Sequence, residues 1–165
     1  MNDQTSSSAV AEVQPTHPEE ALALETVLDA ASAELLGAFA SWCVRQELVF
    51  GISDARDALY LETRLGTPLI VEASPSLLIM SLPYPFDVTS DDERAEAIEH
   101  LRALIPVRRE LAVIGDYAVL PNGAVGLRLY LPMPLTFSED LVADVVDLIF
   151  EHDERAFGSQ GVLSK

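Results

Sequence analysis

The chain has 165 residues, a formal net charge of −17 and 49% hydrophobic residues. The length suits one domain, and the hydrophobic fraction is too high for a wholly disordered protein. With 27 acidic residues against 10 basic ones, the chain is poorly suited to nucleic acid, because that binding begins with neutralisation of phosphates by Lys and Arg. The same charge opposes an anionic membrane surface and favours a basic or apolar partner.

The sequence also argues against crosslinks and membrane insertion. Cys43 is the only cysteine, so no intrachain disulfide or thiolate cluster can form. No apolar run reaches the roughly 18 residues of a membrane helix. The N-terminus is acidic and lacks the order of charged and apolar regions that a signal peptide has. We therefore expect a cytoplasmic protein without membrane insertion.

The N-terminal part is predicted to be a tail followed by a long helix. Residues 1–15 are rich in Ser and polar residues and are expected to be a disordered acidic tail. A capping box at residues 16–19 begins a helix that extends to about Val49, and Gly37 either divides this helix or admits another backbone. The helix is expected to face the core, with a seam for a partner helix as the alternative. Its apolar stripe has steps of four and three residues: Leu24, Leu28, Ala31, Leu35, Ala38 and Trp42.

The middle of the chain is predicted to be an antiparallel meander. The predicted strands are Ala58–Leu65, Leu69–Val71 and Leu77–Leu82, and short turns containing Gly or Pro separate them. Residues 77–80 are apolar on both faces of their strand. Because one face of a single-layer antiparallel sheet normally meets water, either a second layer of this chain or a partner is expected to cover both faces.

The second half is predicted to alternate helix, hairpin and helix. A capping box at residues 90–93 begins a helix that ends near Ile105. The strands Leu111–Leu120 and Val125–Leu131 are joined by the turn at residues 121–124, which is the clearest hairpin signal in the chain. A last helix begins at Thr136 or Ser138 and ends near Phe157, and residues 158–165 are expected to be a tail.

The predicted order is therefore α-β-β-β-α-β-β-α. This order predicts an α+β fold with an antiparallel sheet and flanking helices, in a single domain over 16–157 whose core covers about 32–157. The last helix carries an acidic stripe, which is expected to be a solvated face, with a basic partner as the alternative. The stripe consists of Asp140, Asp144, Asp147, Glu151 and Glu154.

A search for catalytic or metal-binding motifs leads to none. His17, His100 and His152 fall on three different predicted helices, and no H-E-x-x-H motif is present. His152 is expected at the surface among its acidic neighbours, and Cys43 beside Trp42 is expected to be a buried, inert thiol. No nucleophile elbow or phosphate-binding loop occurs. We therefore expect no enzyme activity, no cofactor and no metal.

The element order resembles the fold of type III secretion chaperones and their relatives in the YbjN family. The likeness is best in the second half: residues 108–111, the hairpin around Asn122 and Gly123, a strand that ends in Leu131-Pro132, and an acidic amphipathic helix. This resemblance covers about Ser32 to Phe157. It implies a non-enzymatic and often dimeric protein that holds an extended segment of a client protein along its surface.

Two sets of residues are predicted for these roles. Homodimerisation is predicted through the second helix, at Ile98, Leu101 and Ile105. The alternatives to the client-binding function are a dedicated subunit or assembly factor of a larger complex, and a small-molecule sensor or enzyme with an unrecognised pocket. Apolar contacts with a client peptide are predicted at Leu69, Val71, Leu78 and Met80.

Overall fold

The computed structural model describes residues 29–133, 136–159, 161 and 163. The described chain is an α+β fold with a six-stranded antiparallel sheet and four helices. In chain order the elements are α1 Ala30–Arg45, β1 Phe50–Ile52, β2 Ala58–Glu62, β3 Pro68–Ser74, β4 Leu77–Pro83, α2 Asp91–Leu104, α3 Arg109–Ala112, β5 Gly115–Val119, β6 Val125–Pro132 and α4 Glu139–Phe157. The predicted fold class is confirmed.

The strands lie in the order β1-β2-β3-β4-β6-β5, and every neighbouring pair is antiparallel. The first four strands form the predicted meander with one additional edge strand, and β6 adds to β4 with β5 outside it. Sheet register fixes which side chains share a face, because successive side chains of a strand point to opposite faces.

One hydrophobic core joins the sheet to the helices. One side of the strands contributes Leu69, Met80 and Leu129, which are cross-strand neighbours of other core residues. The helices contribute Phe39 from α1 and Ile149 from α4 to the same core. We call this side of the sheet the covered face.

Local sequence signals explain the element boundaries well. Ser90 and Glu93 form the predicted capping box at the start of α2. The β5–β6 hairpin closes through Gly123, whose φ is +86°, and the amide of Ala124 donates to the side-chain carbonyl of Asn122 at 3.0 Å. A φ in this range favours glycine, because a Cβ would clash with the backbone. Both predictions are therefore confirmed.

Several boundaries differ from the prediction for identifiable reasons. The helix predicted to reach Val49 ends at Arg45, and it continues through Gly37 without a break. Among the described residues no atom lies within 4 Å of the place where a Cβ of Gly37 would be, so no other backbone approaches there. The edge strand β1 was not predicted, because three residues carry no periodicity. The strand predicted from Leu111 begins at Gly115, because the turn of helix α3 buries Leu111. The predicted capping box at residues 16–19 and the predicted tail at residues 1–15 lie outside the described residues.

Candidate functional site

The side of the sheet opposite to the covered face carries a second set of side chains, which we call the open face. Its centre consists of two apolar cross-strand pairs, Tyr60 with Ile70 and Ile79 with Tyr130. Tyr60 is 40% exposed and Tyr130 is 43% exposed, and both isoleucines are half-buried. None of these four side chains belongs to the hydrophobic core or packs against it. Within the described residues, the helices therefore leave this face uncovered.

Polar groups lie between the two apolar pairs. Glu72 is the cross-strand neighbour of Ile79, and Ser81 is the neighbour of Ile70 on one side and of Arg128 on the other. The Nε of Arg128 donates to the Tyr130 hydroxyl at 3.0 Å, and its guanidinium carbon lies 5.7 Å from the centre of that ring. The same guanidinium is 4.0 Å from the Glu72 carboxylate. The open face thus combines apolar, aromatic and charged groups on a rigid sheet.

The four residues predicted to contact a peptide occupy the same strands but point the other way. Leu69, Val71 and Leu78 are fully buried, and Met80 is 1% exposed. All four belong to the core on the covered face, so a peptide reaches them only if the helices move away. The accessible apolar side chains are their neighbours one position along the strand, such as Ile70 and Ile79. The structure therefore moves the candidate surface to the opposite face.

The three residues predicted for dimerisation also face the core. Leu101 and Ile105 are fully buried, and Ile98 is half-buried against the core. They hold α2 to the sheet, and the outward side of α2 is mostly polar, with Leu104 as an exposed apolar residue. A dimer through α2 would have to use that mostly polar side, and homodimerisation stays a prediction.

His152, predicted at the surface, is instead fully buried. Its Nε2 lies 2.9 Å from the Tyr117 hydroxyl, and that hydroxyl donates to the Ile105 carbonyl. The hydroxyl has one hydrogen, so it accepts from His152, and Nε2 carries the histidine proton. Burial, helped by the charge of Arg155, lowers the pKa of His152 to about 4.

Two polar atoms of this cluster have no hydrogen-bond partner among the described residues. They are the Nδ1 of His152 and the hydroxyl of Tyr84, whose rings are stacked with centres 6.4 Å apart. Burial raises the pKa of Tyr84, and burial also raises the pKa of Tyr117. The cluster is therefore a neutral polar contact that fixes α4 to the sheet.

The remaining sequence candidates are structural or solvated. Cys43 is fully buried, as predicted, and burial raises the pKa of its thiol to about 12, so little reactive thiolate is expected at neutral pH. In the acidic stripe of α4 the first four carboxylates are exposed, and Glu154 is half-exposed beside Arg64. The stripe is thus accessible to solvent in this chain, and its alternative role in binding a basic partner stays a prediction. No group of three His, Cys, Asp or Glu side chains within the described part of the chain converges in a way that could hold a metal ion.

No helix in the described residues is both long and apolar enough to span a membrane. Comparisons with known proteins do not assign the chain to a family. No protein-family model matches it, and no curated protein matches it significantly. The likeness to YbjN proteins and secretion chaperones therefore rests on element order and local pattern. The open face of the sheet is the feature of this fold that offers a surface to a partner.

Proposed function

We propose that this chain is a non-enzymatic protein-binding module that holds an extended segment of a client protein against the open face of its sheet. The observation that supports the proposal is the pair of apolar contacts on that face, Tyr60 with Ile70 and Ile79 with Tyr130, which lie outside the core. Exposed apolar patches on a rigid surface are typical of interaction sites. The resemblance to secretion chaperones favours the same class of function.

The dimensions of the open face suit an extended segment. Tyr60 on β2 and Tyr130 on β6 are separated by three strand spacings, because β3 and β4 lie between them. At about 4.8 Å per spacing, and with an offset of two residues along the strands, the two positions are about 16 Å apart, which an extended chain crosses in roughly five residues. One short stretch of an unfolded client can therefore contact both aromatic rings. A globular partner would need a larger complementary surface to bind stably.

The charge of the chain indicates the chemistry of the client. A net charge of −17 repels acidic segments and attracts basic ones, and it keeps the complex soluble. The client segment is therefore expected to alternate apolar and basic residues. Electrostatic attraction of this kind acts mainly on the association rate and weakens with salt.

Selection of random peptides displayed on phage tests this proposal with the purified full chain. Enriched peptides are synthesised, and their affinities are measured by fluorescence anisotropy for the parent and for a double variant, Ile79→Asp with Tyr130→Asp. The loss of two apolar contacts is expected to weaken binding by about tenfold or more. The matched control is Val44→Asp, because Val44 is 65% exposed on α1, on the other side of the molecule.

Each result has a defined meaning for this proposal. Weaker binding by the double variant and unchanged binding by the control support a client site on the open face. Equal binding by all three proteins overturns that placement, and the absence of any enriched peptide overturns the proposed function. A dimer in light scattering that the double variant converts to a monomer would assign the open face to a second copy instead of a client.

A further inference from the structure

A small depression lies on the open face under the turn between β5 and β6. Its volume is about 260 Å³, and it lies between Tyr60 and Ile70 on the sheet and Leu120 and Pro121 in the turn. This volume is below the range of about 300 to 1,000 Å³ that small-molecule pockets occupy. The depression therefore suits one side chain of a bound peptide.

The absence of a side chain at Gly126 allows Leu120 to form one wall of this depression. Gly126 has no side chain, and the Cδ1 of Leu120 lies 3.0 Å from the position that a Cβ of Gly126 would take. Leu120 can therefore fold over the sheet, where it is 3% exposed. From α2, the Nε of Arg94 donates to the Gly123 carbonyl at 2.8 Å and holds the turn in place. The wall is thus part of the folded scaffold.

The floor of the depression contains an unpaired polar group. Ser81 lines the depression and is 2% exposed, and its hydroxyl has no hydrogen-bond partner within the described residues. A buried hydroxyl without a partner is energetically costly, and such groups are uncommon in folded proteins. A ligand that offers a hydrogen bond at this position would satisfy it.

The charges at the rim are negative. Two acidic residues, Asp57 and Glu72, line the depression, and none of its lining residues is an arginine. The described chain has no basic side chain within ion-pair distance of Asp57, whose carboxylate accepts from the Ser53 hydroxyl at 2.8 Å. Glu72 faces Arg128 only at 4.0 Å, and that guanidinium is directed to the Tyr130 hydroxyl. The aromatic ring of Tyr60 adds a surface that attracts cations.

We infer that this depression binds the cationic side chain, Lys or Arg, of the client segment. The inference rests on the proposed function and adds its specificity. The aliphatic stem of the cation lies over Ile70 and Leu120, and its charged end meets the carboxylates of Glu72 and Asp57. The Ser81 hydroxyl lies buried beneath them, and an N–H of the cation donates to it once the side chains above it move apart. Arg128 stays paired with Tyr130 and Glu72 and limits the site to one cation.

A double-mutant cycle tests the inference with the peptides selected above. In each synthetic peptide, the basic residue is replaced by a neutral analogue of similar shape, citrulline for Arg and norleucine for Lys. For the parent this replacement is expected to weaken binding by about tenfold, the effect of one charge-assisted contact. For the Glu72→Gln variant the same replacement in the peptide is expected to change the affinity little, because the carboxylate that meets the cation is gone. Glu62→Gln is the matched control, because Glu62 lies on the open face but outside the depression.

A second variant separates binding from folding. Ser81→Ala removes the unpaired hydroxyl, so its thermal midpoint is expected to equal or exceed that of the parent while its affinity for the basic peptides falls. Peptides that bind the open face with no dependence on their basic residue overturn the inference and leave the proposed function standing. An equal effect of Glu62→Gln and Glu72→Gln also overturns it, since it would show a general charge effect. If no peptide is enriched, the proposed function fails first, and the inference falls with it.

Discussion

The two faces of the sheet are built from the same strands and differ in what covers them. In β4, Leu78 and Met80 are buried under the helices, whereas Ile79 between them is half-exposed on the open face. The hydrophobicity of these neighbours is alike, so composition does not distinguish the faces. Burial on this sheet is therefore decided by the helix layer. Apolar residues that this layer leaves uncovered are the ones available to a partner.

The largest effect is expected when the covered face is broken. Val71→Asp with Met80→Asp places two carboxylates in the core without partners. Each costs several kcal/mol, and together they approach the whole stability of a typical domain, about 5 to 15 kcal/mol. We expect the variant to lose its folded circular dichroism spectrum and its cooperative thermal transition.

The open face provides the matched control for this variant. Ile79→Asp with Tyr130→Asp introduces the same two charges on the same sheet, where water can solvate them. We expect this protein to stay folded with a cooperative transition. Unfolding of the open-face variant, or a folded covered-face variant, would contradict the division into two faces.

The next largest effect is expected from His152 in the core, which makes the free energy of unfolding depend on pH. The pKa of His152 is lowered to about 4 from an ordinary value of 6.5. The unfolded chain therefore binds a proton below pH 6.5 that the folded chain refuses. Above pH 6.5 the protonation of His152 therefore costs no stability. Between pH 6.5 and about 4 it lowers the free energy of unfolding by about 3 kcal/mol.

Urea unfolding at several pH values between 7 and 4 checks this prediction. His152→Phe keeps an aromatic ring beside Tyr84 and is expected to lack this part of the pH dependence, although it is less stable at pH 7 because Tyr117 loses its partner. His100→Gln is the control, since His100 is exposed on α2. If His152→Phe keeps the full loss of stability, the assignment to His152 is wrong.

A smaller effect is expected at the carboxylate that joins α4 to the turn after β2. Asp153 is fully buried and accepts hydrogen bonds from the hydroxyls of Thr63 at 2.6 Å and Thr67 at 3.1 Å. Asp153→Ala leaves both hydroxyls without this partner and is expected to lower the free energy of unfolding by about 2 kcal/mol. Chemical denaturation of the purified variant measures this loss.

The neighbouring residue is a stringent comparison for Asp153. Glu154 pairs with Arg64 at 3.1 Å, but both side chains are at least 40% exposed. Glu154→Ala is therefore expected to cost at most about 1 kcal/mol, because solvent screens exposed ion pairs. Equal losses for the two variants would contradict the assignment of Asp153 as a buried structural carboxylate.

Local signals in the sequence were reliable where the chain itself provides the partner. Ser90 and Glu93 satisfy each other at the start of α2, and Gly123 permits the turn that only glycine tolerates easily. The predicted strand from Leu111 failed at its beginning, because tertiary packing of Leu111 favours the short helix α3. The end of the first predicted strand also moved, because the hydroxyl of Thr63 accepts from the amide of Thr67 at 3.1 Å and begins a turn.

The candidate site could be predicted only in part. The apolar run at residues 77–80 correctly indicated that both faces of β4 are hydrophobic, but it gave no reason to prefer one face. The prediction selected Leu78 and Met80, and the accessible residue is Ile79. The alternation in β6, with Leu129 inside and Tyr130 outside, is the signal that could have separated the faces. His152 was misplaced because its sequence neighbours are acidic, whereas its spatial neighbours are Tyr84 and Tyr117.

The α+β class, the antiparallel pairing and the acidic surface could all be predicted from the sequence. These properties follow from periodicity, turn residues and composition, which act over a few neighbouring positions. Long-range packing, in contrast, sets which face of the sheet meets the helices and places the β5–β6 turn over the open face. It also buries the hydroxyl of Ser81, which has no partner among the described residues. Those features depend on contacts between residues far apart in the chain, which no local pattern encodes.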